Sequence, residues 1–193
     1  MIPVLITLAA CAGSLSLPGD DAEALSMIMA SLAAPGEERL AFVEERQSPL
    51  FDEIVTVSGY LERLSDDTLV KVIEEPLPRR LSLGAERVTV ESAGRTVETS
   101  ISRHPALAGL RSGLIGLIDR DAVSLLRVFQ PSVEDGENGW RLELLPREKR
   151  VARNLRRLVV HGCGETLISV EVWLADGTIE QMRFVVPGSG GTE

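Results

Sequence analysis

Side chains that could bind a metal or a cofactor are few in this sequence. It has two histidines and two cysteines in 193 residues, and His161 and Cys163 form the one local pair. The pair offers two ligands, whereas a zinc site takes three or four, so His104 or a distant carboxylate would have to complete it. The glycines around Cys163 lack the third glycine and the following helix of a dinucleotide-binding loop. We therefore predict no metal and no cofactor.

The motifs of nucleophilic and phosphoryl-transfer catalysis are also absent from the sequence. It contains no Gly-x-Ser-x-Gly turn, no phosphate-binding loop with Gly-Lys-Ser/Thr and no His-Glu-x-x-His. Carboxylate pairs such as Glu44-Glu45 recur, but acid–base catalysis needs two carboxylates placed across a cleft. Solvated strand faces and turns are the simpler interpretation. We predict that the protein is not an enzyme, and a lipid-tailoring enzyme is an alternative.

One basic cluster follows Pro146 in a chain whose formal net charge is −9. Its basic residues are Arg147, Lys149, Arg150, Arg153, Arg156 and Arg157. Because the rest of the chain is acidic, this turn is the place where anionic lipid head groups or an acidic partner would bind. We predict partner binding by the first four of these residues, and an ordinary exposed turn is the alternative.

Composition excludes several classes of protein. Hydrophobic residues make up 44% and charged residues 25% of the sequence, as in folded globular chains. Aromatic residues make up only 4%, so stacking platforms for bases are lacking, and the acidic charge repels phosphate backbones. The length favours one domain. We predict a monomer with one domain over residues 20–186, a flexible tail over 187–193 and no nucleic-acid partner.

The first 19 residues contain no charged side chain and have the pattern of a secretory signal. The apolar run over residues 2–12 is too short to span a bilayer and has the length of a signal h-region, although no basic residue precedes it. Residues 10–12, Ala-Cys-Ala, fit a cleavage site, and residues 8–11, Leu-Ala-Ala-Cys, fit the lipobox of bacterial lipoproteins. We predict a signal segment over 1–19 and a periplasmic protein, either cleaved after Ala12 or lipidated on Cys11.

Hydrophobic periodicity predicts a mainly antiparallel β protein with a helical insertion. Helical spacing after the caps Asp20 and Asp21 predicts a helix to residue 33. A second helix begins at Pro105, and a third follows Asp121. Alternation predicts strands over 38–47, 53–64, 69–74, 80–83, 88–91, 96–101, 128–133, 140–145, 155–161, 167–174 and 179–186. A single sheet with this many strands curls. We therefore predict an α+β fold, a single curved half-open β-barrel with a helical lid.

The apolar faces of these elements predict the lining of a lipid-binding cavity. The residues concerned lie on the side of each strand or helix that the curved sheet must bury. They are Phe42, Val55, Val57, Leu61, Leu107, Leu110, Leu114, Ile118, Leu142, Leu144, Leu158, Val160, Ile168, Val170, Val172, Met182 and Phe184. A fully packed core accounts for the same pattern, and sequence does not separate the two.

Several loose motifs follow one another in a set order between residues 22 and 186. They are the helix 21–33, Phe-Val-Glu-Glu-Arg at 42–46, Ser-Gly-Tyr-Leu at 58–61, the segment 76–90, Trp-Arg-Leu-Glu-Leu-Leu-Pro at 140–146 and the segment 170–184. Together they resemble the bacterial lipoprotein-carrier family, LolA and LolB, and most closely its divergent LolA-related branch. The resemblance implies an unclosed antiparallel barrel with a helical lid. LolA carries an Arg-Pro pair where this chain has Arg63-Leu64, so the lid contact of that arginine is not carried over to Arg63.

The resemblance implies a periplasmic carrier that binds the acyl chains of a lipoprotein or glycolipid and moves them towards the outer membrane. The partners it implies are an inner-membrane transporter or exporter and an outer-membrane acceptor. Two alternatives stay open. One is a non-carrier interaction module of a lipid export machinery of the aryl-polyene type, and the other is the lipid-tailoring enzyme.

Overall fold

Eleven antiparallel strands form one sheet in the computed structural model, which describes residues 15–33, 39–50, 53–65, 67–136 and 138–185. The strands are β1 Arg39–Gln47, β2 Val55–Ser65, β3 Thr68–Glu75, β4 Arg79–Leu83, β5 Arg87–Ser92, β6 Arg95–Ser100, β7 Phe129–Gly136, β8 Gly139–Pro146, β9 Leu155–Cys163, β10 Thr166–Leu174 and β11 Ile179–Phe184. The helices are α1 Asp21–Ser31, α2 Pro105–Ile118, α3 Ala122–Val128 and α4 Lys149–Ala152, with a 3₁₀ turn at Ile101–Arg103. Residues 1–14 of the predicted signal segment, with Cys11, and the predicted tail 187–193 lie outside the described ranges.

The strand order is β6-β5-β4-β3-β2-β1-β11-β10-β9-β8-β7. Each strand pairs with its neighbour in sequence except where β1 pairs with β11, so the first and last strands meet in the middle of the sheet. The two edge strands are β6 and β7, and α2 and α3 connect them. The sheet is curved and open, as the half-open barrel predicted from sequence requires, and that prediction is confirmed. Among the described residues, no helix combines the length and apolar character that a membrane span needs.

Helix α1 covers the β7 edge of the sheet. Asp20 caps the helix, because its carboxylate accepts hydrogen bonds from the backbone N–H groups of Ala22 and Glu23, each at 3.0 Å. The Asp21 carboxylate accepts the backbone N–H of Val133 in β7 at 2.8 Å. This contact and Pro131, which has no N–H, leave few free donors on that edge.

Gly59 allows β2 and β3 to approach each other at an irregularity of their pairing. The register between the two strands shifts between residues 58 and 59. A Cβ at residue 59 would lie 1.9 Å from the carbonyl oxygen of Val72, a backbone atom that a side-chain rotation cannot move away. Only glycine fits there, which gives a physical reason for the glycine of the motif at 58–61.

Gly59→Ala should therefore destabilise the sheet strongly. We expect a loss of at least about 3 kcal/mol in the free energy of unfolding, measured by urea denaturation, because the clash is with backbone. The control is Gly19→Ala, since a Cβ at residue 19 has no atom within 4 Å. A wild-type urea midpoint for Gly59→Ala would show that the strands can separate at this point at little cost.

The main core fills one half of the curved sheet. Its large, fully buried side chains include Trp140, Phe129 and Leu144, which pack with α1 and α3 against β7, β8 and β9. The Trp140 indole N–H donates to the carbonyl of Gly164 at 3.0 Å. A second, small cluster of Leu83, Val88 and Ile101 lies at the other side of the sheet. Between these two clusters the concave face is not filled.

Candidate functional site

A cavity of about 400 Å³ lies between α2 and the concave face of the sheet. Its walls come from β1 to β5, β10, β11 and one side of α2. The apolar lining residues are Val55, Val57, Leu69, Ile73, Pro76, Leu77, Leu81, Leu83, Val90, Ala106, Leu107, Leu110, Leu114, Val170, Val172, Leu174 and Met182. The cavity has the size of a binding site for one small amphiphile.

Eight of the side chains predicted for the lining do line the cavity. They are Val55, Val57, Leu107, Leu110, Leu114, Val170, Val172 and Met182. Eight others do not line the cavity and belong to the packed core or lie against it: Phe42, Leu61, Ile118, Leu142, Leu144, Leu158, Val160 and Phe184. Seven of them lie on strands and Ile118 lies on α2, and the core that they join also contains side chains from α1, α2 and α3. The cavity and the packed core, which sequence could not separate, are therefore both present.

Ile168 lies elsewhere, and its placement by simple alternation is wrong. The pairing of β9 with β10 shifts between Leu167 and Ser169, so a bulge interrupts the alternation there. Leu167 packs against the core, and Ile168 is 40% exposed. A bulge adds one residue to one strand, and the residues themselves carry no mark of it.

Glycines on α2 decide which half of the sheet this helix covers closely. A Cβ at Gly109 would lie 2.6 Å from Val151, and a Cβ at Gly113 would lie 2.3 Å from Leu158 of β9. The helix backbone therefore packs directly on α4 and β9. Leu107, Leu110 and Leu114 lie on the cavity side of the same helix.

Two ion pairs lie within the otherwise apolar cavity wall: both members of one pair are buried, whereas the arginine side chain of the other is 51% exposed. Lys71 of β3 pairs with Glu44 of β1 across the intervening strand β2, and Arg46 of β1 pairs with Glu180 of the neighbouring strand β11. Glu44 is 4%, Glu180 6% and Lys71 9% exposed. Burial lowers the pKa of the Lys71 ammonium, and the adjacent Glu44 carboxylate opposes this shift. The Lys71 ammonium also lies 5.3 Å from the centre of the Phe42 ring.

Sequence reasoning missed these charged residues by assigning carboxylates to solvated strand faces. Their position in the alternation was a usable signal. Glu44 and Arg46 fall on the same face of β1 as the buried Phe42, and Lys71 falls between Leu69 and Ile73 on β3. A charge that continues an apolar face must be buried or lie at the rim of a cavity.

The cavity opens at the end of the sheet where β2 begins and β3 ends. Val55 and Leu77 both line the cavity and are large exposed apolar side chains, with Leu77 73% exposed. Arg79, an exposed residue at the start of β4, is part of the same lining. We call these three residues the mouth. Neither histidine lines this cavity, and His161 lies 3.4 Å from the Glu171 carboxylate on β10.

The family model described as "Outer membrane lipoprotein carrier protein LolA-like" matches residues 19–188. The chain belongs to this LolA-like family. The resemblance inferred from the sequence motifs is thereby confirmed. Membership supports a binding role of the carrier type, for lipid or lipoprotein, and a location outside the cytoplasm. No curated protein is significantly similar to the chain.

Several solved structures are similar to this LolA-like chain at low sequence identity. One is a LolA superfamily protein, NE2245 from Nitrosomonas europaea, with 9% identity, a TM-score of 0.46 and coverage of 86% of this chain and 92% of that one. Another is the lipoprotein LppX from Mycobacterium tuberculosis, with 12% identity, a TM-score of 0.41 and coverage of 83% and 90%. A third is LprF from Mycobacterium bovis, with 9% identity, a TM-score of 0.37 and coverage of 87% and 94%.

Arginines hold the lid of this LolA-like chain to the sheet. Arg111 of α2 donates from Nε to the carbonyls of Asp67 and Leu83, at 2.9 and 3.2 Å. Arg63 of β2 forms an ion pair with Asp119, the residue that ends α2. Arg63, for which the sequence alone predicted no lid contact, thus contacts the end of the lid helix in this structure.

Arg111→Ala should loosen α2 from the strands without unfolding the sheet. A charged donor that satisfies carbonyls contributes about 1.5–3 kcal/mol, so we expect hydrogen exchange of α2 amides to become roughly thirtyfold faster. Arg127→Ala is the matched control, because Arg127 is exposed on α3 and outside the cavity lining. Unchanged exchange in α2 after the Arg111 substitution would mean that apolar packing alone holds this helix.

The basic turn supplies structural contacts as well as exposed charge. Arg147 donates to the carbonyls of Leu126 and Phe129 at 2.9 and 2.8 Å, and Arg150 donates to the carbonyl of Ser102. These two predicted partner-binding residues thus fasten α3 and the 3₁₀ turn. Lys149 and Arg153 are exposed, and partner binding by all four stays a prediction.

Proposed function

We propose that this chain is a periplasmic carrier that holds acyl chains of a lipid or lipoprotein in the α2 cavity and moves them towards the outer membrane. The observation that carries the proposal is the aliphatic cavity itself, which is bounded by a helix and open at the mouth. Family membership supports the same role.

Burial of hydrocarbon would supply the affinity. Each methylene transferred from water to an apolar site contributes about 0.8 kcal/mol. A water molecule occupies about 30 Å³ in the liquid, and we take the same volume for each heavy atom of a ligand. A cavity of about 400 Å³ then holds about 13 ligand heavy atoms. The cavity thus has room for most of one acyl chain. Several chains would require α2 to move away from the sheet.

Movement of α2 is the step that would load and release the cargo. The contacts of Arg111 and Arg63 lie near one end of the sheet, while the mouth lies at the other. Partners would be an inner-membrane transporter or exporter and an outer-membrane acceptor. The exposed Lys149 and Arg153 are candidates for the transporter contact.

Native mass spectrometry of the full chain, isolated gently from its own cell envelope, tests this function. We expect a protein that carries lipid, and the denatured mass then tells whether the chain is cleaved after Ala12 or lipidated on Cys11. A protein that is empty and also fails to bind added dodecyl-chain amphiphiles would contradict the carrier function.

Charge reversal of Lys149 and Arg153 tests the partner contact. In a carrier, this change should weaken partner capture without changing lipid uptake. The interaction-module alternative predicts the same loss of partner capture in a protein that takes up no lipid at all.

A further inference from the structure

The charged residues of the cavity wall are not balanced. Lys71 and Arg46 are each matched by a carboxylate, from Glu44 and Glu180. Arg79 is the remaining cation, and its side chain forms no ion pair or hydrogen bond within the described part of the chain. The cavity therefore has one positive charge in excess, in a chain whose formal net charge is −9.

Arg79 is placed at the boundary between the apolar lining and solvent. It pairs with Ile73 of β3, and Leu77 at the mouth precedes it by two residues. Leu81 and Leu83 follow on the same face of β4 and line the deeper wall. An acyl chain that lies along β4 would therefore have one end beside the Arg79 guanidinium.

A guanidinium in this position selects the charge of the group beside it. Its planar fork binds a carboxylate or phosphate through two parallel hydrogen bonds. Because Arg79 is exposed, an anion there keeps part of its hydration and avoids the cost of full burial. A cationic head group would meet the excess positive charge, since both wall carboxylates are already paired.

We propose that the cargo is a single-chain amphiphile with an anionic head group, a carboxylate or a phosphate, that binds Arg79 while its chain fills the cavity. The proposal rests on the proposed acyl-chain binding and adds the chemical class of the ligand. The volume of about 400 Å³ fits one chain, and the unmatched cation at the mouth fits one negative charge.

Four dodecyl-chain probes test the proposal by isothermal titration below their micelle concentrations. Dodecanoate and dodecyl phosphate carry the two anionic groups, monolauroylglycerol is neutral and dodecyltrimethylammonium is cationic. We expect at least one anion to bind roughly tenfold more tightly than the neutral probe. The two anions distinguish a fatty acid from a phosphate head group as the preferred ligand.

Arg79→Gln should remove this preference and leave binding of the neutral probe unchanged, which also shows that the variant is folded. The matched control is Arg80→Gln, because Arg80 is the next residue of β4, faces the other side of the sheet and lies 3.8 Å from Glu62. Equal affinity for the neutral and anionic probes, or tighter binding of the cationic probe, would overturn the proposal that the ligand is anionic. The proposed carrier function would not be affected by that result. Failure of all four probes to bind would overturn both.

Discussion

Val57→Trp should lower the affinity for a dodecyl chain about tenfold or more without unfolding the protein. Val57 is half-buried and lines the cavity, so an indole at this position occupies space that the chain needs. Exclusion of only two methylenes, at about 0.8 kcal/mol each, is enough for that loss. The measurement is titration with the neutral monolauroylglycerol probe, which is independent of head-group charge.

Two controls keep this result specific. Thr56→Trp puts the same side chain on the adjacent, exposed residue of β2, which faces away from the cavity, and should leave binding unchanged. Ile168→Asp should also have no effect on binding, because the bulge in β10 leaves Ile168 exposed. Wild-type affinity in Val57→Trp, or a loss with Ile168→Asp, would mean that lipid binds elsewhere on the chain.

Lys71→Met should destabilise the protein by about 3–5 kcal/mol, the largest stability effect that we expect from a single side chain. The substitution leaves the Glu44 carboxylate, 4% exposed, without its counter-ion among apolar side chains. The double variant Lys71→Met with Glu44→Leu should recover most of this loss, because an apolar pair of similar volume avoids burying charge. Urea unfolding of the two single variants and the double variant measures the coupling energy.

An exposed ion pair provides the reference for that cycle. The side chains of Arg87 on β5 and Glu98 on the edge strand β6 are 70% and 50% exposed. Arg87→Met should therefore change stability by less than about 1 kcal/mol. If Lys71→Met has an effect as small as this one, the pair in the cavity wall is hydrated in solution, and the cavity is wetter than its lining suggests.

Local patterns account for the success of the fold prediction. Apolar and polar residues alternate along each strand because one side of the strand is buried. This alternation is the same whichever strands are neighbours in the sheet, so it can be recognised in the sequence of each strand alone. Helix α1 was likewise predictable from Asp20, because the cap satisfies backbone N–H groups two and three residues ahead. The order of strands and helices also carried the family resemblance, which the match over residues 19–188 confirms.

The cavity was only partly predictable, because its position depends on contacts between distant segments. Sequence assigned the faces of Val172 and Leu158 correctly but could not tell that Val172 borders the cavity as well as the core, whereas Leu158 belongs to the core alone. That difference arises from Gly113 of α2, which lets the helix lie directly on Leu158.

The sequence by itself determined the eleven strands and the three longer helices, most of their apolar faces and the family resemblance. Only the tertiary structure decided where the concave face is filled, which way Ile168 points and how the wall charges pair. A bulge, a close helix approach and an ion pair such as Lys71 with Glu44 each join residues far apart in the chain. Their energies depend on distance and burial, which no local pattern of residues contains.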